Sequence, residues 1–223
     1  MPARNLDLHG NAPDSCPVAL LLIDVINDFA YTGGDKLLAQ TLPIADKILA
    51  LKRKSHRLGI PVIYVNDNFG RWQSDFKKVL CHCIEESMGS EIAHQLAPDE
   101  DDYFVLKPKH SGFYSTTLDT LLNYLQVQTL ILTGIAGDSC VLFTANDAYM
   151  RDFRLIIPAD CVASQDPEEN RRSLEQMKRV LKADIRQSDQ IDLEALLHAP
   201  PAHKTQAGNK GSSAAQMADQ AAG

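Results

Sequence analysis

Along this chain, short unbroken runs of aliphatic and β-branched residues alternate with longer stretches whose apolar positions recur at helical spacing. Runs too short for helices and free of polar interruption mark strands buried on both faces, the pattern of βαβ units around a parallel sheet. They place strands at Val18–Asp24, Val62–Asn66, Tyr103–Leu106, Thr129–Thr133 and Leu155–Ile157, with a weaker one near Ala183–Arg186. Between them the spacing predicts helices over Leu42–Leu58, Ser115–Leu125, Ser139–Asp152 and Pro167–Leu181, and an irregular helical stretch over Phe76–Gln95. Gly59-Ile60-Pro61 stops the first helix, and Asp166-Pro167 gives the last an N-cap followed by proline at its first position. The fold class expected is α/β: a doubly wound, Rossmann-like, mostly parallel six-stranded sheet of order 3-2-1-4-5-6 with helices on both faces.

This pattern fills residues 17–198, read as one domain. Residues 1–16 lack it and carry the turn formers Gly10, Asn11, Pro13 and Asp14, so they are expected to be an N-terminal leader. Residues 199–223 are rich in Ala, Gln, Ser, Gly and Lys, with Met217 their one large apolar side chain, and are expected to be a disordered tail. A net charge of −7 offers no cationic footprint for a phosphate backbone, so nucleic acid is not an expected partner. The apolar runs fall well short of the roughly 20 residues of a spanning helix. Met1–Asp7 carry no basic region followed by an apolar core. Neither a membrane nor a secretory route is therefore expected, and the expected location is cytoplasmic.

The five cysteines (Cys16, Cys81, Cys83, Cys140 and Cys161) are an odd count that points to reduced thiols rather than a disulfide framework. Cys81-His82-Cys83 lacks the second Cys/His pair of a structural zinc site and reads as small apolar fillers on a helix.

In a doubly wound sheet, ligands bind beyond the carboxyl ends of the strands. Asp24 closes the first strand, Lys107 follows the third, and Cys140 lies beyond the fourth, past the small-residue turn Gly134-Ile135-Ala136-Gly137-Asp138-Ser139. No glycine-rich phosphate loop follows the first strand, which excludes a dinucleotide fingerprint. A helix first turn is the expected seat of Cys140, where the macrodipole and free N–H groups are expected to lower its pKa. With strands 1 and 4 adjacent, Asp24 would sit beside Cys140 as a base, and Lys107 would pair with Asp24 from the other side. Position alone leaves two plainer readings open: a buried ion pair without chemistry, and a small core cysteine at a tight junction. It also leaves Lys109 as an alternative to Lys107, because two residues along an extended segment restore the same face. A Cys–His dyad would have only His110 to draw on, a weaker arrangement.

These residues resemble the isochorismatase-like cysteine hydrolases, which include nicotinamidases, N-carbamoylsarcosine amidases, ureidoacrylate hydrolases and isochorismatase itself. The segments that carry the resemblance are Leu22-Ile23-Asp24-Val25-Ile26-Asn27-Asp28-Phe29, Lys107-Pro108-Lys109-His110-Ser111-Gly112-Phe113, Thr133-Gly134-Ile135-Ala136-Gly137-Asp138-Ser139-Cys140-Val141 and Asp160-Cys161-Val162-Ala163-Ser164. The resemblance implies a triad of Asp24, Lys107 and Cys140 and favours Lys107 over Lys109. It also implies a cis peptide between Ile135 and Ala136, with the Ala136 and Cys140 N–H groups as oxyanion hole. The activity implied is hydrolysis of a small amide or ureido C–N bond through a thioester, with no cofactor and a small molecule as substrate. A homo-oligomer is expected.

Two departures bear on the substrate. Nicotinamidases bind a metal through an Asp-x-His pair after the second strand; here Asp67-Asn68-Phe69 has a phenyl ring in place of the histidine, so no metal is expected. Ile26 stands where many members have glutamine. The loop that contains Asn68 and Trp72 is expected to be a lid or pocket wall, and Phe29, Tyr31 and Phe113 are further candidates for the pocket. Three alternatives are weighed. A vinyl ether hydrolase of isochorismatase type needs no cysteine, and a non-catalytic binding protein would be expected to have lost part of the Asp24, Lys107 and Cys140 set. A thiol redox protein is disfavoured by the absence of Cys-x-x-Cys.

Overall fold

The structure, a computed structural model, describes residues 15–67 and 75–199. Its strands are β1 (Val18–Ile23), β2 (Val62–Asp67), β3 (Tyr103–Lys107), β4 (Thr129–Ile135), β5 (Arg154–Ile156) and β6 (Val162–Ala163). Its helices are α1 (Gly34–Arg57), α2 (Phe76–Glu86), α3 (Ser90–Gln95), α4 (Leu118–Tyr124), α5 (Cys140–Tyr149), α6 (Pro167–Leu181) and α7 (Leu193–Leu197). All strand pairs are parallel, in the order β3-β2-β1-β4-β5, with β6 paired to the carboxyl end of β4.

The central strand shows why the fold forms. All six residues of β1 are fully buried, and they alternate between two cores. Val18, Leu20 and Leu22 face α1, α2, α3 and α7, while Ala19, Leu21 and Ile23 face α4, α5 and α6. A strand covered on both sides has no polar face, so it reads as a continuous apolar run.

Four elements differ from the sequence reading. Helix α1 starts at Gly34 rather than Leu42 and continues through Pro43. Its buried face Leu37, Thr41, Ala45, Ile48, Leu51 and Ser55 is continuous at helical spacing, and this packing outweighs the ~3 kcal/mol cost of an interior proline. The stretch 76–95 is two helices, α2 capped by the Asp75 side chain on the Lys78 N–H at 2.8 Å. The expected strand at 183–186 is a single bridge between Asp184 and Ile156, and β6 was not foreseen because two residues carry no periodicity. Of the leader and tail readings, 1–14 and 200–223 lie outside the described residues. Cys16, by contrast, is buried, with its N–H bonded to Leu125 O at 2.8 Å. Among the described residues no helix is long and apolar enough to cross a membrane.

Candidate active site

Four neighbouring strand ends deliver the site. Asp24 follows β1 with φ of 51°, a left-handed conformation that aspartate tolerates better than most residues. Its N–H bonds Val65 O at 3.0 Å, and its side chain turns towards the adjoining strands. Asp24 Oδ1 accepts the Asp67 N–H at 2.7 Å, and Oδ2 lies 2.8 Å from Lys107 Nζ. The same ammonium reaches Cys140 Sγ at 3.4 Å, Lys109 O at 3.2 Å and Asp67 Oδ2 at 3.8 Å. Lys107, at the end of β3, is fully buried, and Asp24 nearly so. Of the two lysines that spacing could not separate, Lys107 is the inward one; Lys109 is exposed and contributes its carbonyl.

Cys140 opens α5 after a tight turn. Gly134 carries a φ of +108°, and a Cβ there would lie 2.1 Å from Ile23 O, so only glycine lets β4 pass β1 this closely just before the turn. The Ile135–Ala136 peptide is cis. Strand β6 and the residue after it fix the turn: Gly137 N–H bonds Ala163 O at 2.9 Å, and Asp138 N–H bonds Ser164 Oγ at 3.1 Å. Ser139 is the N-cap of α5, but its hydroxyl does not cap the helix; it lies 3.2 Å from His110 Nδ1. The Ala136 and Cys140 N–H groups therefore donate to no hydrogen bond among the described residues. The segment after β3 is latched to α5. Gly112 N–H donates to Thr144 Oγ1 at 3.0 Å, that hydroxyl donates to Cys140 O at 2.7 Å, and Ser111 Oγ bonds Asp147 Oδ2. This latch, which sequence reasoning missed, keeps Lys107 and Cys140 in mutual register.

Burial raises the Asp24 carboxyl above the usual carboxylate range, and Lys107 and the Cys140 thiol pull it partly back. Burial, joined by the Asp24 carboxylate, pushes the Cys140 thiol up to about 12, against the pull of Lys107. The expected lowering of the thiol pKa at a helix N-terminus is thus corrected: desolvation and an adjacent negative charge outweigh the helix dipole here. Burial acts to lower Lys107, but Asp24, Cys140 and Asp67 more than offset it and hold the ammonium charged. Burial thus favours the protonated thiol, and beside it the Lys107 ammonium favours the charged form of the Asp24 carboxyl against the burial that opposes it.

A cavity of about 670 Å³ opens over Cys140, lined among others by Asp24, Tyr31, His110, Ile135, Ala136 and Gln165. Tyr31 is a wall, as expected. Phe29 and Phe113 are not: both are buried in the two cores, Phe29 where Gly34 and Gly89 close over it and Phe113 beneath the Arg151 guanidinium, 4.6 Å from its ring centroid. Asn68 and Trp72 lie outside the described residues, as does Phe69. A metal does not fit this donor set. The Asp67 carboxylate already faces the Lys107 ammonium at 3.8 Å, and the residue two places on is the phenyl side chain of Phe69. Among the described residues the one trio with metal-ligand spacing is His56, Asp99 and Asp102, and Lys52 Nζ sits 3.0 and 2.9 Å from its carboxylates, in a cation's place.

The Isochorismatase domain model matches residues 18–189. The isochorismatase family protein YaaI of Bacillus subtilis is 47% identical over 173 residues, covering 78% of this chain and 95% of that protein. Ureidoacrylate amidohydrolase RutB of Methylobacterium radiotolerans is 28% identical over 199 residues, covering 78% of this chain and 76% of that one. The crystal structure of N-carbamoylsarcosine amidase from Thermoplasma acidophilum matches with a TM-score of 0.60 at 29% identity, covering 78% of this chain and 98% of that chain. With the family model spanning the whole parallel sheet and the site at its carboxyl edge, the chain belongs to the isochorismatase family and is a hydrolase.

Proposed function

We propose that this hydrolase cleaves a small amide or ureido C–N bond, with Cys140 as nucleophile, Asp24 as proton carrier and Lys107 as the charge that keeps Asp24 ionised. The observation that carries the reading is the buried ammonium of Lys107, 2.8 Å from Asp24 and 3.4 Å from Cys140 Sγ, two residues that line the cavity. The relatives named for ureidoacrylate and N-carbamoylsarcosine support the substrate class.

The chemistry follows from the protonation states. A thiol of pKa about 12 is not a nucleophile by itself at neutral pH, so its proton must leave as sulfur attacks. Asp24, whose carboxyl pKa burial raises, is a better proton acceptor than a solvated aspartate. Sulfur bonds to the carbonyl carbon, the proton passes to Asp24, and the oxygen becomes an oxyanion. The N–H groups of Ala136 and Cys140, which donate to no hydrogen bond among the described residues, serve as its donors in this reading, each worth roughly 3–4 kcal/mol of barrier. Asp24 then returns the proton to the departing nitrogen, which leaves a thioester on Cys140. A water that gives its proton to the same carboxylate attacks the thioester, the C–S bond breaks, and Asp24 returns that proton to the Cys140 sulfur, so amide and water become acid and amine and the thiol is restored. The vinyl ether alternative would need Asp24 only as an acid and leaves the placement of Cys140 on the cavity floor unexplained.

The test is ammonia release from a panel of small carboxamides and ureido acids. Wild-type protein is expected to turn over at least one of them, and Cys140→Ala none. Retained turnover in Cys140→Ala would overturn the nucleophile.

A further inference from the structure

The turn between Ala136 and Cys140 is anchored by side chains that take no part in the proposed chemistry. Near the start of α6, Asn170 donates from Nδ2 to Val162 O at 3.0 Å, which orients its amide and leaves Oδ1 facing the Ser164 hydroxyl at 3.1 Å. That hydroxyl donates to Asn170 and accepts the Asp138 N–H at 3.1 Å. Ser164 is 1% exposed, so neither partner is readily replaced by water. The residue before Asp138 is held by backbone, Gly137 N–H to Ala163 O at 2.9 Å. Asn170 and Val162 press on the same turn: a Cβ at Gly137 would lie 2.1 Å from Asn170 Oδ1 and 2.7 Å from Val162 Cγ1. Towards the helix, Ala136 O accepts the Ser139 and Val141 N–H groups at 3.1 and 3.0 Å. The relay from Asn170 through Ser164 therefore grips the middle of the segment whose two ends carry the Ala136 and Cys140 N–H groups.

Resting on the reading in which those two N–H groups receive the oxyanion, we propose that Ser164 and Asn170 are positioning residues of the active site: through the Asp138 N–H they fix the direction and separation of the oxyanion donors. Such donors act only when held about 2.7–3.1 Å from where the oxygen will sit, and a misplacement of about 1 Å can cost a hundredfold in rate. Among the described residues neither Ser164 nor Asn170 bonds Asp24, Lys107 or Cys140 Sγ. Breaking the relay thus weakens the step in which the carbonyl oxygen gains charge and spares removal of the thiol proton. It lowers kcat and leaves KM in place, since what is lost is an interaction made only in the transition state.

Two variants test the relay. Ser164→Ala removes the hydroxyl, and Asn170→Leu cuts the relay at its half-buried outer end, with the folding of both followed by circular dichroism. With an amide that wild-type protein turns over, kcat is expected to fall by about tenfold or more in each, with KM within about twofold. A second arm needs no turnover. Methyl methanethiosulfonate forms a disulfide with Cys140 and releases methanesulfinate with no carbonyl involved, and its rate is expected to stay within about twofold. Butyraldehyde adds the thiol across its carbonyl, forming a carbon–sulfur bond while the proton ends on oxygen, and so protects Cys140 from that reagent. The hemithioacetal oxygen takes the oxyanion position, so protection is expected to need about tenfold more aldehyde in both variants. Wild-type kcat and protection in Ser164→Ala and Asn170→Leu, or a methanethiosulfonate rate that falls in step with kcat, overturns the proposal. No turnover of any amide by wild-type protein, with protection still weakened in both variants, counts against the amide reading and leaves the positioning role standing.

Discussion

Among the described residues two lysines are almost wholly buried, and they do different things. Lys52, on α1, gives its ammonium to Asp99 at 3.0 Å, Asp102 at 2.9 Å and Ala97 O at 2.7 Å, beside the Tyr64 ring. Its three protons meet three oxygens, two of carboxylates and one of the backbone. Lys107 has Asp24 and Lys109 O as oxygen partners at close range, and its remaining reach goes to a sulfur whose protonation changes during reaction. A buried ion pair is therefore a clamp where every donor is consumed. It becomes a site where one donor faces a titrating nucleophile under an open cavity.

That contrast breaks first at Lys107. Lys107→Ala is expected to lower kcat/KM by about a thousandfold or more, with helical circular dichroism retained, and Asp24→Asn to match it, because each leaves the thiol without a working proton acceptor. Lys52→Met is expected to do the converse. It strands the buried Asp102 carboxylate and lowers unfolding free energy by about 3–5 kcal/mol in chemical denaturation, while kcat/KM of the folded protein stays within about twofold. Equal activity losses in Lys52→Met and Lys107→Ala would erase the distinction.

The pH profile sharpens it. Asp24 must be ionised to accept the proton, and its carboxyl sits above the usual range, so kcat/KM falls as pH drops through that raised value and is full above it. With the thiol at about 12 and Lys107 raised, no alkaline loss is expected up to about pH 10. In Lys107→Met the acid limb moves to higher pH, since the cation that favours the carboxylate is gone; in Lys52→Met it stays in place. A smaller effect belongs to Lys109→Ala, about tenfold or less, because it removes an exposed side chain and keeps the backbone carbonyl that meets Lys107. The smallest is that of dialysis against a strong chelator, expected to leave activity unchanged, given that the residue two positions after Asp67 is Phe69, which has no ligand atom.

The parts legible in sequence share a physical cause. Strands buried on both faces leave unbroken apolar runs, and Asp24, Lys107 and Cys140 stand out because each interrupts or ends such a run at the same sheet edge. Lys52 gave no such signal: a lysine at a helical position reads as solvated, and only the loop before β3, folded over it, buries it. The sign of the Cys140 shift was also out of reach, because helix position is local whereas burial and the Asp24 charge come from segments distant in sequence. β6 and the Thr144 and Asp147 latch are contacts between distant segments, with no spacing to announce them. Phe29 and Phe113 misled for the opposite reason: aromatic residues next to strand ends pack inward as readily as they line a pocket.

The central claim is a thioester on Cys140, and trapping it tests that claim most directly. An amide that the wild-type protein turns over is mixed with it and quenched in acid during steady state, and the peptide containing Cys140 is weighed by mass spectrometry. The peptide is expected to be heavier by the acyl group of that amide, with the adduct released by hydroxylamine and absent from Cys140→Ala. Steady turnover with no adduct on Cys140, and with Cys140→Ala still active, would contradict the account.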